Sequence, residues 1–138
     1  MTLPRAYKQY QQQYQQVAVE TASPGRLILL LYDAAIRNAR QAAAAWEAAN
    51  EAEARARTYR VQDILAELIG SLNFEAGQLA AQLFQLYEYM NYRLIQSMLR
   101  KDVEAVREVG RLLEELRSAW EQAVKEQQTS AAKPVQQP

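Results

Sequence analysis

The chain has no histidine and no cysteine in its 138 residues. Without cysteine there is no disulfide scaffold, no thiolate metal site and no cysteine nucleophile. Without histidine there is no imidazole base, no Ser-His-Asp arrangement and no Glu-x-x-His pair of the kind that holds two metals in a helical bundle. A surplus of one charge is missing as well: 16 basic and 16 acidic side chains cancel, so no strong field invites a phosphate backbone or an anionic bilayer. No nucleic-acid partner is expected. The longest apolar run, Leu27 to Tyr32, falls far short of the roughly 20 residues a membrane span needs, so no membrane insertion is expected. The N-terminus, MTLPRAYKQYQQQYQQ, is polar where a secretory leader would be apolar, and the expected location is the cytosol. No glycine-rich phosphate loop occurs. Asp33, the one acid inside the apolar run LLLYDAAI, is expected to be solvated or to pair with Arg37 one turn on rather than to catalyse. Together these absences argue against an enzyme, and no cofactor or metal is expected.

Proline is scarce too. It stands only at 4, 24, 134 and 138, so nothing from Gly25 to Lys133 locks φ or removes an N–H donor inside a helix. That interval is rich in Ala, Leu, Glu, Gln and Arg and poor in Val, Ile and Thr, which favours helix over strand. A first helix is predicted to start at Ser23-Pro24, a hydroxyl cap followed by proline at the first helical position, and to stop near Asn50. Its apolar face carries Leu27, Leu31, Ala34 and Ala35. The second helix presents Val61, Leu65, Leu68 and Leu72, and a turn is expected over GSLNFEAG, where Gly70, Asn73 and Gly77 cluster. Leu79, Leu83, Leu86, Met90 and Leu94 keep one side of a third helix apolar. The fourth is expected to be capped by Asp102 and to repeat Val106, Val109, Leu113, Leu116, Trp120 and Ala123. Gly110 within it reads as a point of close helix approach. Four rods with short connections make an all-α, antiparallel up-down four-helix bundle over residues 23–126. A short Tyr/Gln-rich N-terminal segment, residues 1–22 with Tyr7, Tyr10 and Tyr14, reads either as a Gln-rich low-complexity arm or as a docking arm that caps apolar surface of the bundle, and residues 127–138 are expected to form a disordered tail.

Aromatic usage points to binding. Eight tyrosines against two phenylalanines suit an interface, because a phenolic hydroxyl needs a partner when buried and finds water at a rim. In the third helix Leu86, Tyr87, Tyr89, Met90, Tyr92, Arg93 and Leu94 cover more than one face. A four-helix bundle cannot bury them all, so a groove for another helix is expected. Arg93 is suited to anchor a partner carboxylate or to stack on a ring. The alternative is a self-assembling structural or adaptor bundle whose tyrosine strip meets its own kind; a monomer or weak dimer is expected.

Taken together, TASPGRLILLLYDAAIR (21–37), RVQDILAELIGSL (60–72), LYEYMNYRLI (86–95) and KDVEAVREVGRLLEELRSAWEQA (101–123) resemble the flagellin-specific export chaperones, the FliS family. Any one amphipathic segment is a weak signal. The ordered combination of SP at a helix start, LYD, LYEYM with RL just beyond it and AW near the end is specific. The resemblance implies a non-enzymatic cytosolic chaperone of the flagellar type III export system. Such a protein binds the disordered C-terminal region of flagellin, prevents its premature polymerisation and delivers it to a component of the export gate. It also implies that a tyrosine-bearing N-terminal segment packs over the bundle, with Tyr14 at the family's position ten residues before the helix-start proline and Tyr7 and Tyr10 as its pair spaced by three. Client contacts are then expected from Tyr10, Tyr14, Leu27, Leu31, Leu86, Tyr87, Met90 and Leu94; several of these, Leu27, Leu31 and Leu94 above all, equally suit the plain core. On this reading, Tyr87→Ala together with Met90→Ala weakens client binding more than folding.

Overall fold

A computed structural model describes residues 24–132. The arm with Tyr7, Tyr10 and Tyr14, its capping role, the Ser23 cap and the residues from Lys133 onward lie outside the described residues. Four helices make up the fold: α1 (Pro24–Glu47), α2 (Glu51–Gly70), α3 (Gln78–Arg100) and α4 (Val103–Ala132), with a single 3-10 turn at Phe74–Ala76.

Helix ends follow local chemistry, with two departures from the sequence reading. α1 stops at Glu47 rather than near Asn50, because Ala49 turns left-handed at φ 57° and the Asn50 N–H closes back on the Ala45 carbonyl at 2.8 Å. Asn50 instead opens α2, its side chain accepting from the Glu53 N–H, while Glu51 and Glu53 sit in the positive first turn. The expected turn over residues 70–77 is present. Asn73 caps the 3-10 turn, and Gly77 takes φ 108°, a value that side-chain-bearing residues rarely adopt. Asp102 caps α4 as predicted, accepting from Glu104 and Ala105 N–H at 3.0 and 3.4 Å. The second departure is the tail: residues 127–132 continue α4 to Ala132. Glu126 is followed by neither glycine nor proline before Pro134, so nothing there stops the helix.

The helices form a ring in which each neighbour runs antiparallel, with α4 closing against α1. Tyr32, Val61, Leu65, Leu68, Met90, Leu94, Val106, Val109 and Leu113 fill the interior. From α1 the interior receives mainly alanines, Ala34, Ala35, Ala39 and Ala42, which lets α2 and α4 approach that helix closely. Buried Asn38 is satisfied by the Ala34 carbonyl and by the Arg57 guanidinium. Asp33, partly exposed at the helix flank, pairs with Arg117 on α4; the same guanidinium also holds Glu121. These groups are partly exposed, so the link contributes at most about 1 kcal/mol. It staples α1 to α4 rather than forming a reactive acid.

Gly110 does not mark a forbidding contact. A Cβ there would meet the Ala39 Cβ at 3.9 Å, an ordinary van der Waals approach. Gly110→Ala is therefore expected to stabilise the protein by roughly 0.5–1 kcal/mol through helix propensity, read as a higher urea midpoint at unchanged slope. A lower midpoint would place an unrecognised clash in the α1–α4 contact.

α3 is the least enclosed of the four. Its buried residues are Ala80, Tyr87, Met90, Leu94 and Ser97, while Leu79, Phe84, Tyr89, Tyr92, Ile95 and Leu99 are exposed. Polar ties fix its second half: Gln62 donates to Asn91 at 2.8 Å, Arg55 to the Met98 carbonyl at 3.2 Å, and Arg93 pairs with Glu108 at 2.9 Å.

Candidate protein-binding groove

At the end of the bundle where α1 and α3 begin, α3 and α4 do not close on each other. A hollow of about 320 Å³ lies between them, walled by Leu79 and Leu83 from α3 and by Leu116, Ala119, Trp120 and Ala123 from α4. Through Leu79, Leu83 and Trp120 it joins a second hollow of about 260 Å³, floored by Ile28, Leu68, Leu72, Ala80 and Tyr87 and edged by Ser71 and Asn73. None of these lining residues carries a charge. The groove arises because the apolar stripes of α3 and α4 continue past the section where the four-helix core is complete. Leu79 is 65% exposed, so apolar surface is left for a partner to cover.

Beneath the groove lies a small polar network. The Tyr32 and Tyr87 hydroxyls are 2.5 Å apart, and Trp120 and Tyr87 line the same hollow. Burial raises both phenols above their ordinary value of 10.0, and for Tyr32 the bond to Tyr87 raises it further. The folded state thus favours the protonated phenols. Their contribution to stability is complete below the unfolded value near 10 and is lost as pH rises above it. In an alkaline absorbance titration Tyr32 and Tyr87 are expected to ionise only with the loss of helical circular dichroism. Ionisation of Tyr87 near pH 10 in an intact fold, followed through Tyr87→Phe, would contradict this.

The residues nominated from sequence divide into three groups. Tyr10 and Tyr14 lie outside the described residues. Leu27 and Leu86 are half-buried, and Leu86 packs against the core. Leu31, Tyr87, Met90 and Leu94 are interior, between 0 and 4% exposed. One helical period serves both core and groove, and these four fall on the core side, the alternative left open for several of the nominated residues. Tyr87 alone among them also reaches the groove, at its floor. Arg93 is engaged within the molecule by Glu108 and Gln96 rather than held out for a partner carboxylate. Tyr89 donates to the same Glu108 at 2.7 Å. The Tyr89 hydroxyl draws the Glu108 carboxyl below its usual range; burial opposes it, and Arg93 adds to the lowering. Sequence reading assigned Leu79, Leu83, Leu116, Trp120 and Ala123 to the core stripes and missed them as surface. The available signal was that these stripes outlast the helices facing them.

Among the described residues no group of three or more acids, histidines or cysteines is placed to hold a metal ion, and no helix is long and apolar enough to cross a membrane. The family model for flagellar protein FliS matches residues 6–127. The flagellar secretion chaperone FliS of Bacillus subtilis is 35% identical over 111 residues, covering 80% of this chain and 83% of that one. The flagellar secretion chaperone FliSB of Pseudomonas aeruginosa is 36% identical over 118 residues, with 85% and 94% covered. FliS of Salmonella typhimurium is 35% identical over 131 residues, with 83% and 87% covered. The likeness spans the whole bundle, groove walls included, and on that ground the chain belongs to the FliS family of flagellar secretion chaperones, a family of chaperones and not of enzymes.

Proposed function

We propose that the groove takes up the C-terminal region of flagellin in the cytosol, keeps it from polymerising and delivers it to a component of the flagellar export gate. The observation that carries this reading is an uncharged apolar groove, open along one side, on a flagellar chaperone fold. A disordered segment loses conformational freedom when it binds, and only buried apolar area of the kind these walls offer offsets that loss. We propose further that the N-terminal arm, through Tyr10 and Tyr14, takes part in client capture. Deleting residues 1–18 then leaves a folded bundle with altered client affinity or lower solubility.

The test is calorimetric titration with the last ~40 residues of the cognate flagellin, a coupled ordering event that buries on the order of 1,000–3,000 Å². A one-to-one complex with a clearly negative heat-capacity change is expected, and its affinity should change less than about threefold between low and high salt, because no charged wall takes part. Absence of heat at every temperature would end the reading. A self-assembling or adaptor bundle without a flagellar client draws its support from the exposed Tyr92, Ile95 and Leu99 on the outer face of α3. It requires a concentration-dependent dimer that is indifferent to the flagellin segment.

A further inference from the structure

We infer that the first turns of α3, residues 78–86, are a movable wall of the groove, hinged on the connection at 71–77 and on the tied second half of the same helix. The inference about motion stands on the fold alone; its consequence for client admission rests on the function proposed above.

The two walls are unequal. On the α4 side, Arg117 is pinned to Asp33 and Glu121; Leu116 and Trp120 pack on the core there, as Leu83 and Leu86 do on the α3 side. On the α3 side, every inter-helix polar tie lies at Tyr87 or beyond: Tyr87 to Tyr32, Tyr89 and Arg93 to Glu108, Asn91 to Gln62, and the Met98 carbonyl to Arg55. Among the described residues, no side chain from Gln78 to Leu86 makes a hydrogen bond or ion pair. Burial along α3 is uneven as well: Ala80 is the one fully buried residue of that stretch, with Leu83 and Leu86 partly buried against the core, whereas Tyr87, Met90, Leu94 and Ser97 are buried beyond it.

The start of α3 adds to this. Gly77 stands at the N-cap with no side-chain hydrogen bond, and the first turn holds no acid. The first N–H groups therefore lack the cap and the favourable charge that hold other helix starts. An added Cβ at Gly77 would meet nothing within 4 Å, so the connection is not wedged in place. Phe74 on the connection contacts Phe84 on the wall edge-to-face, ring centroids 5.9 Å apart, which joins hinge and wall into one moving piece. Behind the wall, Leu79 and Leu83 border the hollow, so outward movement enlarges an existing space, at the cost of the Leu83 and Leu86 contacts with the core. Low local stability in a binding element has this physical content: few buried contacts and an uncapped end.

Opening of the wall widens the groove without unfolding the bundle, and a client binds through that minor population. Amide exchange on the full-length protein without client tests the motion. The N–H groups of residues 82–86 are expected to be at least about 100-fold less protected than those of 94–98; equal protection overturns the inference. Gln82→Gly with Gln85→Gly, both at exposed positions, loosens the wall. It is expected to speed exchange at 82–86 about tenfold or more, leave 94–98 unchanged and raise the association rate of the flagellin C-terminal segment by a similar factor. Faster exchange with an unchanged association rate would refute gating and leave the motion. No binding of the segment even to the unaltered protein would refute the flagellin reading and the gating built on it, while the exchange contrast still decides the motion.

Discussion

Tyr87→Ala combined with Met90→Ala is expected to leave the protein largely unfolded, reversing what their position in a tyrosine-rich strip suggests. Tyr87 is 2% exposed and Met90 0%, and both belong to the continuous core. Truncating a buried Met costs about 2–5 kcal/mol and a buried aromatic about 3–5. The Tyr32 hydroxyl also loses its partner in the interior, adding about 1–3 kcal/mol. The two sites are adjacent, so the terms do not add strictly. Even the lower sum rivals the roughly 5–15 kcal/mol of a whole domain. Circular dichroism and urea unfolding measure this. Tyr87→Phe separates packing from hydrogen bonding: it keeps the ring and is expected to cost only about 1–2 kcal/mol. A double variant that stays folded with a near-native urea midpoint would mean that α3 does not pack as described.

Leu79→Glu with Ala123→Glu is expected to abolish flagellin binding in an intact fold. Both residues face the groove from opposite walls, and both are exposed, so stability should change by no more than about 0.5 kcal/mol. A client seated between them would strand two carboxylates against apolar surface, at about 2 kcal/mol or more each. Together they predict an affinity loss beyond about 100-fold. Leu99→Glu is the control. Leu99 is exposed to 80%, lies on α3 far from the groove, and should bind like the unaltered protein. Equal losses in both variants would move the site off the groove, and no loss in either would remove it from the bundle end altogether.

Much of the architecture was legible because each helix end has a local chemical cause. Proline at 24, the Gly-Asn-Gly cluster from 70 to 77 and Asp102 announce themselves within a few residues. Asn50 misled because one short polar side chain suits both the end of a helix and the start of the next. Function-bearing surface was harder to read. Leu79, Leu83, Leu86, Met90 and Leu94 form one stripe by spacing, yet Met90 and Leu94 are core while Leu79 is groove. Periodicity states which side of a helix is apolar; how far along the bundle the opposing helices still cover that side is a property of four chains of residues at once. Gly110 failed for a related reason: its propensity cost is local, but the room beside Ala39 is set by how two helices cross.

The two tryptophans occupy opposite ends of α1's reach, and this gives the protein two separate optical channels. Trp46, near the last turn of α1, is 7% exposed and lies under the Arg55 guanidinium at 5.6 Å. Trp120 stands in the groove beside Ile28, about 27 Å away along the helix at 1.5 Å per residue. Emission from Trp46 follows cooperative melting and is blind to occupancy of the distant groove. Emission from Trp120 shifts when water leaves its surroundings. The Trp46 indole N–H has no hydrogen-bond partner among the described residues, so Trp46→Phe sacrifices no hydrogen bond and leaves Trp120 as the lone tryptophan. Occupancy can then be followed in real time without a label.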